Sequence, residues 1–184
     1  MDAVVDTFTK VFTEHMAALR MGDPLSDDTE VGPQARGDLR DELHEQVRRS
    51  VAAGARTVLG GEPAKGKGWF YPPSVLTDVC PGMPAYEEEL FGPVASVIRA
   101  RDEEDALRIA NDSRFGLGSS LWTRDTKRAE ALAVRIEAGS VFVNALVKSD
   151  PRLPFGGIKK SGYGRELGRQ GIQAFVNAKA VWIR

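Results

Sequence analysis

Helix-type and strand-type patterns alternate along this chain, and that alternation restricts the possible folds more than any other feature of the sequence. Apolar residues repeat every four positions from about residue 36 to 53, which predicts a helix that ends at Gly54. Residues 94–100 form a nearly continuous apolar run, which is typical of a strand covered on both faces. Helix and strand alternate three times between residues 36 and 143, as βαβ units do. We therefore predict an α/β fold with a mostly parallel open sheet and helices on both faces.

The remaining elements are predicted from shorter patterns. Apolar residues spaced three to four apart indicate an amphipathic helix over residues 3–20. Prolines at 72 and 73 suggest that the extended segments around them, at 69–71 and 74–76, lie at a sheet edge. We also predict helices over 102–111, 125–136 and 164–176, and strands at 56–59, 118–123, 141–143 and 180–183. With no linker or repeat in the sequence, residues 1–178 are expected to form one domain, followed by a terminal strand at 179–184.

Charge and cysteine content argue against several kinds of partner and site. The chain has 25 basic and 26 acidic residues and a formal net charge of -1, so there is no electrostatic reason to expect nucleic acid or an anionic membrane as a partner. Cys80 is the single cysteine, which excludes an intrachain disulfide and a cysteine-based zinc site. His15 and His44 lie far apart in the sequence, and we expect no metal site. The early acidic residues do not fit a signal peptide, so we expect a reduced, cytoplasmic protein.

Glu89 and Phe91 are candidate binding residues, two positions apart and directly before a Gly-Pro turn. A carboxylate can accept hydrogen bonds from both hydroxyls of a ribose, and an aromatic face can pack against a flat nicotinamide ring. The turn at Gly92 and Pro93 would hold both residues in place. The alternative is a solvated acidic run before a strand, with Phe91 buried in the core.

A glycine-rich stretch over residues 154–168 invites comparison with phosphate-binding loops. It fails the P-loop pattern, because Tyr163 rather than lysine follows Gly162. It also fails the dinucleotide fingerprint, because Leu167 stands where the third glycine is needed. The interpretation that remains is a tight loop that enters the last helix and presents Phe155 to a pocket. The alternative is a plain connector whose glycines only permit chain reversal.

Two further segments have weaker indications of chemistry. Cys80 has no histidine near it in the sequence, and a lone cysteine of this kind is more often structural than nucleophilic. Residues 149–152 form a polar insertion before Pro154, and the hydroxyl of Ser149 with the guanidinium of Arg152 could bind a carboxylate. A solvated loop is the alternative there.

Several segments, in order along the chain, resemble signatures of the aldehyde dehydrogenase superfamily. Residues 89–93 are similar to its Glu-(Ile/Leu)-Phe-Gly-Pro signature. Residues 154–168 match its Pro-Phe-Gly-Gly-x-Lys-x-Ser-Gly-x-Gly-Arg-Glu-x-Gly loop almost completely. The other resemblances are at 111–117 (Asn-x-x-x-(Phe/Tyr)-Gly-Leu), 139–144 (Gly-x-(Val/Ile)-x-(Val/Ile)-Asn), and the landmarks at 22–24 and 32–33. Together they favour the binding interpretations of Glu89, Phe91 and Phe155.

The resemblance implies an enzyme that oxidises an aldehyde to a carboxylic acid with NAD or NADP. In that family a cysteine thiolate attacks the aldehyde, hydride passes to the nicotinamide, and a water activated by a glutamate releases the acid. By motif match, Glu89 would hold the nicotinamide ribose, Phe91 would border the ring, and Phe155 would line the substrate tunnel. Asn144 would end a core strand near the site. Residues 1–178 would belong to the family's catalytic domain, and 179–184 would form an intersubunit strand of a homo-oligomer.

Within the family, the chain looks most like succinate-semialdehyde dehydrogenases. The resemblance rests on the closing residues 164–168 and 179–184 and on the loop at 147–154. Ser149 falls where those enzymes use a hydroxyl to hold the distal carboxylate. Succinate semialdehyde is therefore the expected substrate.

The family's nucleophilic cysteine, its general-base glutamate and its dinucleotide-binding domain have no counterpart in these 184 residues and are expected upstream of them. We therefore assign no catalytic residue here, and expect the chain on its own neither to bind NAD tightly nor to oxidise aldehyde. The choice between NAD and NADP would depend on the upstream domain. An alternative interpretation is a non-catalytic module that associates with itself or with a longer relative. An independent nucleotide-binding domain is disfavoured, because both glycine patterns fail.

Overall fold

The computed structural model describes residues 1–184, which divide into two units, Met1–Glu103 and Glu104–Arg184. The strands of the first unit form one sheet in the order β1-β2-β3, in which β1 and β2 are antiparallel and β2 and β3 are parallel. Its elements are α1 (Asp2–Ala18), α2 (Gly37–Ala52), β1 (Arg56–Leu59), β2 (Ser74–Thr77), α3 (Pro84–Glu87) and β3 (Val94–Ser96).

Helix α2 supplies one wall of the core of the first unit. Its buried residues are Leu43, Gln46, Val47 and Ser50, which follow the i, i+3, i+4, i+7 spacing of one helix face. The every-four repeat in the sequence drifts by roughly 40° per step around a helix of 3.6 residues per turn. Val51 therefore leaves the buried face and is 42% exposed, while Ser50 takes its place. Gly54 follows the helix with a φ of 115°, a conformation that glycine tolerates best.

The central strand of this sheet is β2, and all four of its residues are buried. The expectation of an edge strand was wrong, because Pro72 and Pro73 precede the strand and remove no donor from its ladders. Residues 69–71 form no strand. The apolar run at 94–100 contributes only β3, which is half-buried and lies at the sheet edge. The hydrophobic core contains Leu43, Val47, Ala55, Tyr71, Leu76, Val79, Met83 and Ala85.

The second unit is built on a strand–helix–strand unit. Strand β5 leads into α5, and α5 returns to β6, which pairs with β5 in parallel from Gly118↔Ser140 to Leu121↔Val143. The side chain of Asp125 caps α5 by accepting a hydrogen bond of 2.9 Å from the Arg128 amide. The elements of this part are α4 (Glu103–Asn111), β4 (Phe115–Gly116), β5 (Gly118–Leu121), α5 (Thr126–Ala133), β6 (Ser140–Val143), β7 (Ile158–Lys159) and α6 (Gly168–Gln173). Strands β4 and β7 form a separate antiparallel pair.

The predicted α/β class is confirmed, and the arrangement of the strands differs from a single open sheet. The strands lie in three small sheets, with two parallel and two antiparallel ladders. Helix α6 is shorter than the predicted 164–176, because Gly164 and Leu167 have positive φ values of 76° and 62°, which are not helical. Residues 180–183 form no strand in this single chain. A strand there needs a partner, so its intersubunit role stays a prediction. None of the helices is both long and apolar enough to cross a membrane.

Candidate functional site

The three consecutive glutamates before the Gly-Pro turn have different surroundings. Glu87 accepts a hydrogen bond of 3.1 Å from the Gly82 amide, within the turn that precedes α3. Glu88 accepts hydrogen bonds from Gln46 at 2.9 Å and from Arg49 at 3.2 Å, both on α2. The run is therefore not a uniform solvated acidic face, because Glu87 is bound to the preceding turn and Glu88 is bound to α2.

Glu89 and Phe91 project outward from the same stretch, while Leu90 between them packs against the core. Phe91 is 69% exposed, so the alternative that buries it in the core is wrong for this chain. The Glu89 side chain is exposed, and no hydrogen bond or ion pair within the chain engages its carboxylate. A free carboxylate and an exposed ring two positions apart can therefore face the same ligand.

The turn that follows is held by close packing. The Ser74 amide donates to the Pro93 carbonyl at 2.8 Å, and the Gly92 amide donates to the Leu90 carbonyl at 2.8 Å. A Cβ on Gly92 would lie 2.5 Å from Leu43 Cδ2 and 2.7 Å from Gln34 Nε2. Glycine is required there because the backbone passes directly over the core. The turn thus fixes the backbone on the C-terminal side of Phe91.

The glycine-rich stretch of the second unit is a cross-linked loop. Phe155 and Glu166 exchange two backbone hydrogen bonds of 2.8 Å, which close the loop at its base. Arg165 donates through one guanidinium nitrogen to the Gly157 carbonyl at 3.0 Å and to the Gly164 carbonyl at 2.6 Å. The Phe155 ring is half-buried. The loop is therefore more than a connector that reverses the chain.

Lys159 attaches this loop to the end of α4. Its Nζ donates to the Asn111 carbonyl at 2.7 Å and to the Ser113 carbonyl at 2.9 Å, and it pairs with Glu137 at 2.7 Å. A cation at carbonyls that end a helix also complements the helix dipole. Asn111 in turn accepts from the Glu137 amide at 2.8 Å. The two family-like segments at 111–117 and 154–168 are thus joined directly.

Asn144 follows β6 directly and ties it to the end of β5. Its Oδ1 accepts from the Thr123 amide and its Nδ2 donates to the Thr123 carbonyl, both at 2.9 Å. Its φ is 54°, a left-handed conformation that asparagine tolerates better than most residues. The predicted end of a strand is where the structure places it. Both polar atoms of the Asn144 side chain are thus used in hydrogen bonds that join the ends of the two strands.

Ser149 lies in an exposed loop beside a local ion pair. Arg152 donates two guanidinium hydrogen bonds to the Asp150 carboxylate, of 2.9 and 2.6 Å, and its backbone amide donates a third, of 2.9 Å. This contact holds the pKa of Asp150 well below its usual range. Ser149 is exposed and free to meet a ligand. Arg152 is already paired, so an anion would have to compete with Asp150 for it.

Neither Cys80 nor any group of metal-ligating side chains adds to the candidate site residues. Cys80 is exposed and lies three residues after the end of β2 at Thr77, with Asp78 and Val79 between them. No three His, Cys, Asp or Glu side chains come together in a way that could hold a metal ion. Glu89 and Phe91 belong to the first unit, and Asn144, Ser149 and Phe155 belong to the second.

Sequence reasoning missed the residues that support the candidates. Gln46 and Ser50 are polar yet buried, and they hold the segment that leads to Glu89. A signal was present, because both fall on the apolar face of α2 with Leu43 and Val47. A buried amide or hydroxyl needs a partner, so polar residues on that face should have suggested a contact with another segment.

Comparison with known proteins places the chain in a large group of enzymes. The profile of the aldehyde dehydrogenase family matches residues 1–181. The chain is 50% identical over 181 residues to the succinate semialdehyde dehydrogenase [NAD(P)+] Sad of Escherichia coli (strain K12), covering 98% of this chain and 39% of that protein. It is 53% identical over 180 residues to the succinate-semialdehyde dehydrogenase [NADP(+)] of Mycobacterium avium (strain 104), covering 98% of this chain and 38% of that protein.

Solved structures give the same answer for the fold. A succinic semialdehyde dehydrogenase from Streptococcus pyogenes, in complex with NADP+, is similar with a TM-score of 0.95 and 36% identity, over 99% of this chain and 40% of that one. A betaine aldehyde dehydrogenase from Staphylococcus aureus, in complex with NAD+, is similar with a TM-score of 0.89 and 28% identity, over 95% of this chain and 36% of that one. The chain spans about two fifths of the length of the relatives it matches. On the family match and these identities, the chain belongs to the aldehyde dehydrogenase family.

Proposed function

We propose that this chain supplies part of the cofactor and substrate sites of an NAD(P)-dependent aldehyde dehydrogenase that oxidises succinate semialdehyde to succinate. The observation that carries the proposal is the free Glu89 carboxylate beside the 69% exposed Phe91, on a backbone fixed on both sides. Relatives about half identical to this chain are named for that substrate, which supports the choice of aldehyde. The cytoplasmic location expected from the single cysteine stays a prediction.

The residues present fit a nicotinamide cofactor. Its ribose carries two hydroxyl donors that match the two oxygens of one carboxylate, and Glu89 has no competing donor. Its nicotinamide ring is flat and can cover Phe91, an exposed ring that is costly to leave in water. When bound, the cofactor accepts hydride from the substrate carbon. The contribution of this chain is to bind and orient the ribose and to shield one side of the ring.

The second unit supports a role in holding the aldehyde. The half-buried Phe155 offers an apolar wall on a loop that its own hydrogen bonds keep in shape. The exposed hydroxyl of Ser149 can donate to the distal carboxylate of a short dicarboxylic semialdehyde. We expect Phe155 to contribute to the binding of any aldehyde, and Ser149 to select for one that carries a carboxylate.

A substitution at Glu89 tests the proposal in the complete gene product that carries this segment. Glu89→Gln should raise the cofactor KM roughly tenfold, because hydrogen bonds to a charged group contribute about 1.5–3 kcal/mol each and the neutral amide keeps only part of them. Glu87→Gln is the matched control, since its carboxylate contacts the Gly82 amide. Steady-state formation of reduced cofactor gives both values. Equal effects of the two substitutions would contradict the assignment of Glu89.

The same assay tests the substrate. The wild-type protein should have a higher kcat/KM for succinate semialdehyde than for an unbranched alkanal, and Ser149→Ala should reduce that preference. A preference of the wild-type protein for long alkanals would overturn the choice of substrate while leaving the role of Glu89 open to its own test.

The purified 184-residue chain should form no measurable reduced cofactor from aldehyde. Its single cysteine, Cys80, lies in the first unit at a position with no family motif around it, and we assign it no role as a nucleophile. The assay is the same absorbance measurement at high protein concentration, with the complete gene product as positive control. Steady turnover by the purified chain would show that the nucleophile lies within it.

A non-catalytic, self-associating module remains the second candidate. The observation in its favour is the exposed apolar end of the chain, where Val181, Trp182 and Ile183 are 75%, 90% and 88% exposed. Self-association is compatible with both candidates, so the activity of the complete gene product decides between them.

A further inference from the structure

We propose that Gln46, a buried residue of α2, is a positioning residue that sets the direction of the Glu89 carboxylate. The inference rests on the proposed role of Glu89 in cofactor binding and extends it to a residue that contacts no cofactor. It assigns to α2 the task of presenting the binding segment.

The contacts of Gln46 are specific to the segment that carries Glu89. Its Nε2 donates to a carboxylate oxygen of Glu88 at 2.9 Å and to the backbone carbonyl of Glu89 at 3.1 Å. An amide nitrogen carries two hydrogens, so these two acceptors use its full donor capacity. Gln46 is 8% exposed, which shields both hydrogen bonds from competition with water.

The next turn of α2 holds the other end of the same segment. Ser50 is fully buried, and its Oγ accepts from the Ala85 amide at 2.9 Å while it donates to the Gln46 carbonyl at 2.8 Å. Helix α2 therefore fixes the chain at Ala85 through Ser50 and at Glu89 through Gln46. The four-residue α3 lies between these two attachments.

The backbone conformation of Glu88, together with these contacts, determines the direction of the Glu89 side chain. Glu88 has φ −112° and ψ 162°, which is an extended conformation. Successive side chains of an extended chain point to opposite sides. Gln46 and Arg49 hold the Glu88 side chain toward α2, so the Glu89 side chain must point away from α2. Loss of this hold would free the peptide between the two glutamates to rotate.

Steady-state kinetics of the complete gene product test the inference. Gln46→Met keeps the shape of the side chain and removes its donors, and should raise the cofactor KM about fivefold while the aldehyde KM changes by less than about twofold. Ser50→Ala is the matched control, because it removes a buried contact of the same helix face that reaches Ala85 instead of Glu89. It should lower the melting temperature with a much smaller effect on the cofactor KM.

A double-mutant cycle separates positioning from general destabilisation. If Gln46 acts through the Glu89 carboxylate, the double variant Gln46→Met/Glu89→Gln should have nearly the same cofactor KM as the single variant Glu89→Gln. Full additivity of the two effects, or an equal rise in the aldehyde KM, would overturn the inference. If Gln46→Met does not fold, Arg49→Met replaces it in the test, because Arg49 is partly exposed and also binds Glu88. A cofactor KM of Arg49→Met equal to that of the wild type would then count against the inference.

The two proposals fail in different ways. A cofactor KM that does not respond to Glu89→Gln contradicts the proposed function itself. A cofactor KM that responds to Glu89→Gln but is unaffected by Gln46→Met contradicts only the role of Gln46.

Discussion

Tyr71 shows how burial sets the chemistry of a single residue in this chain. Its side chain is 1% exposed, and its hydroxyl oxygen lies 3.4 Å from Nδ1 of His44. Burial, with a smaller contribution from the charge of Glu62, raises the pKa of Tyr71 to about 12. The phenol therefore stays neutral at pH values where an unfolded tyrosine, with a pKa near 10, is already ionised.

This shift has a consequence for stability at alkaline pH. A folded-state pKa above the unfolded value contributes stability that is fully present below about pH 10 and is lost as the pH rises toward 12. Between pH 9 and pH 11 we expect the wild-type chain to lose roughly 1 kcal/mol more than Tyr71→Phe. Urea unfolding at pH 9 and pH 11 measures the difference. Tyr163→Phe is the control, because Tyr163 is fully exposed; if both variants follow the wild type, the buried phenol is not responsible.

At the scale of elements, the residue before β6 packs closely against the glycine-rich loop. A Cβ on Gly139 would lie 1.7 Å from the Gly156 carbonyl oxygen, which is a backbone atom and not the end of a flexible side chain. The Gly139 amide also donates to the Gly116 carbonyl at 3.0 Å. The start of β6 is thus the support on which the loop that carries Phe155 rests.

Gly139→Ala should therefore destabilise the second unit by about 3 kcal/mol, at the upper end of the usual cost of overpacking. Thermal unfolding is the measurement. Gly32→Ala provides the control, because the nearest atom to its added Cβ is 3.8 Å away, an ordinary contact distance. A melting temperature for Gly139→Ala within error of the control would mean that the loop is free to move off the strand.

For the whole molecule, the feature that matters most is apolar surface left uncovered at the end of the chain. Phe175, Val181, Trp182 and Ile183 are all at least 75% exposed, and residues 179–184 make no strand within the chain. Exposed apolar segments without a ladder partner favour pairing with another chain. We therefore expect the protein to self-associate through this segment.

Removal of residues 179–184 should convert the associated form to a smaller species, because the apolar residues of this segment are exposed and belong to no part of the core of the first unit. Sedimentation velocity over a range of concentrations gives the species present. Trp122→Ser, which removes a 64% exposed tryptophan elsewhere, is the control for a general loss of apolar surface. A wild-type chain that remains monomeric at high concentration would contradict the expectation.

Local patterns were sufficient for much of this protein. Helix α2 and strand β1 lie within about one residue of their predicted ends, because periodicity and an end-stop glycine depend only on neighbours in sequence. The family was also readable from motifs at fixed spacings. These features depend only on residues that are close in sequence, so they can be identified without knowledge of the tertiary structure.

The tertiary structure decided the questions that depend on residues far apart in sequence. No local pattern says which of three adjacent glutamates is free; contacts with Gly82, Gln46 and Arg49 determine that Glu89 is. The same holds for β2, which became the central strand because partners far away in sequence flank it on both sides. Thr77 pairs with Arg56, 21 positions earlier, and Ser74 pairs with Val94, 20 positions later. Such choices follow from the free energy of burying distant segments together, which a sequence window does not contain.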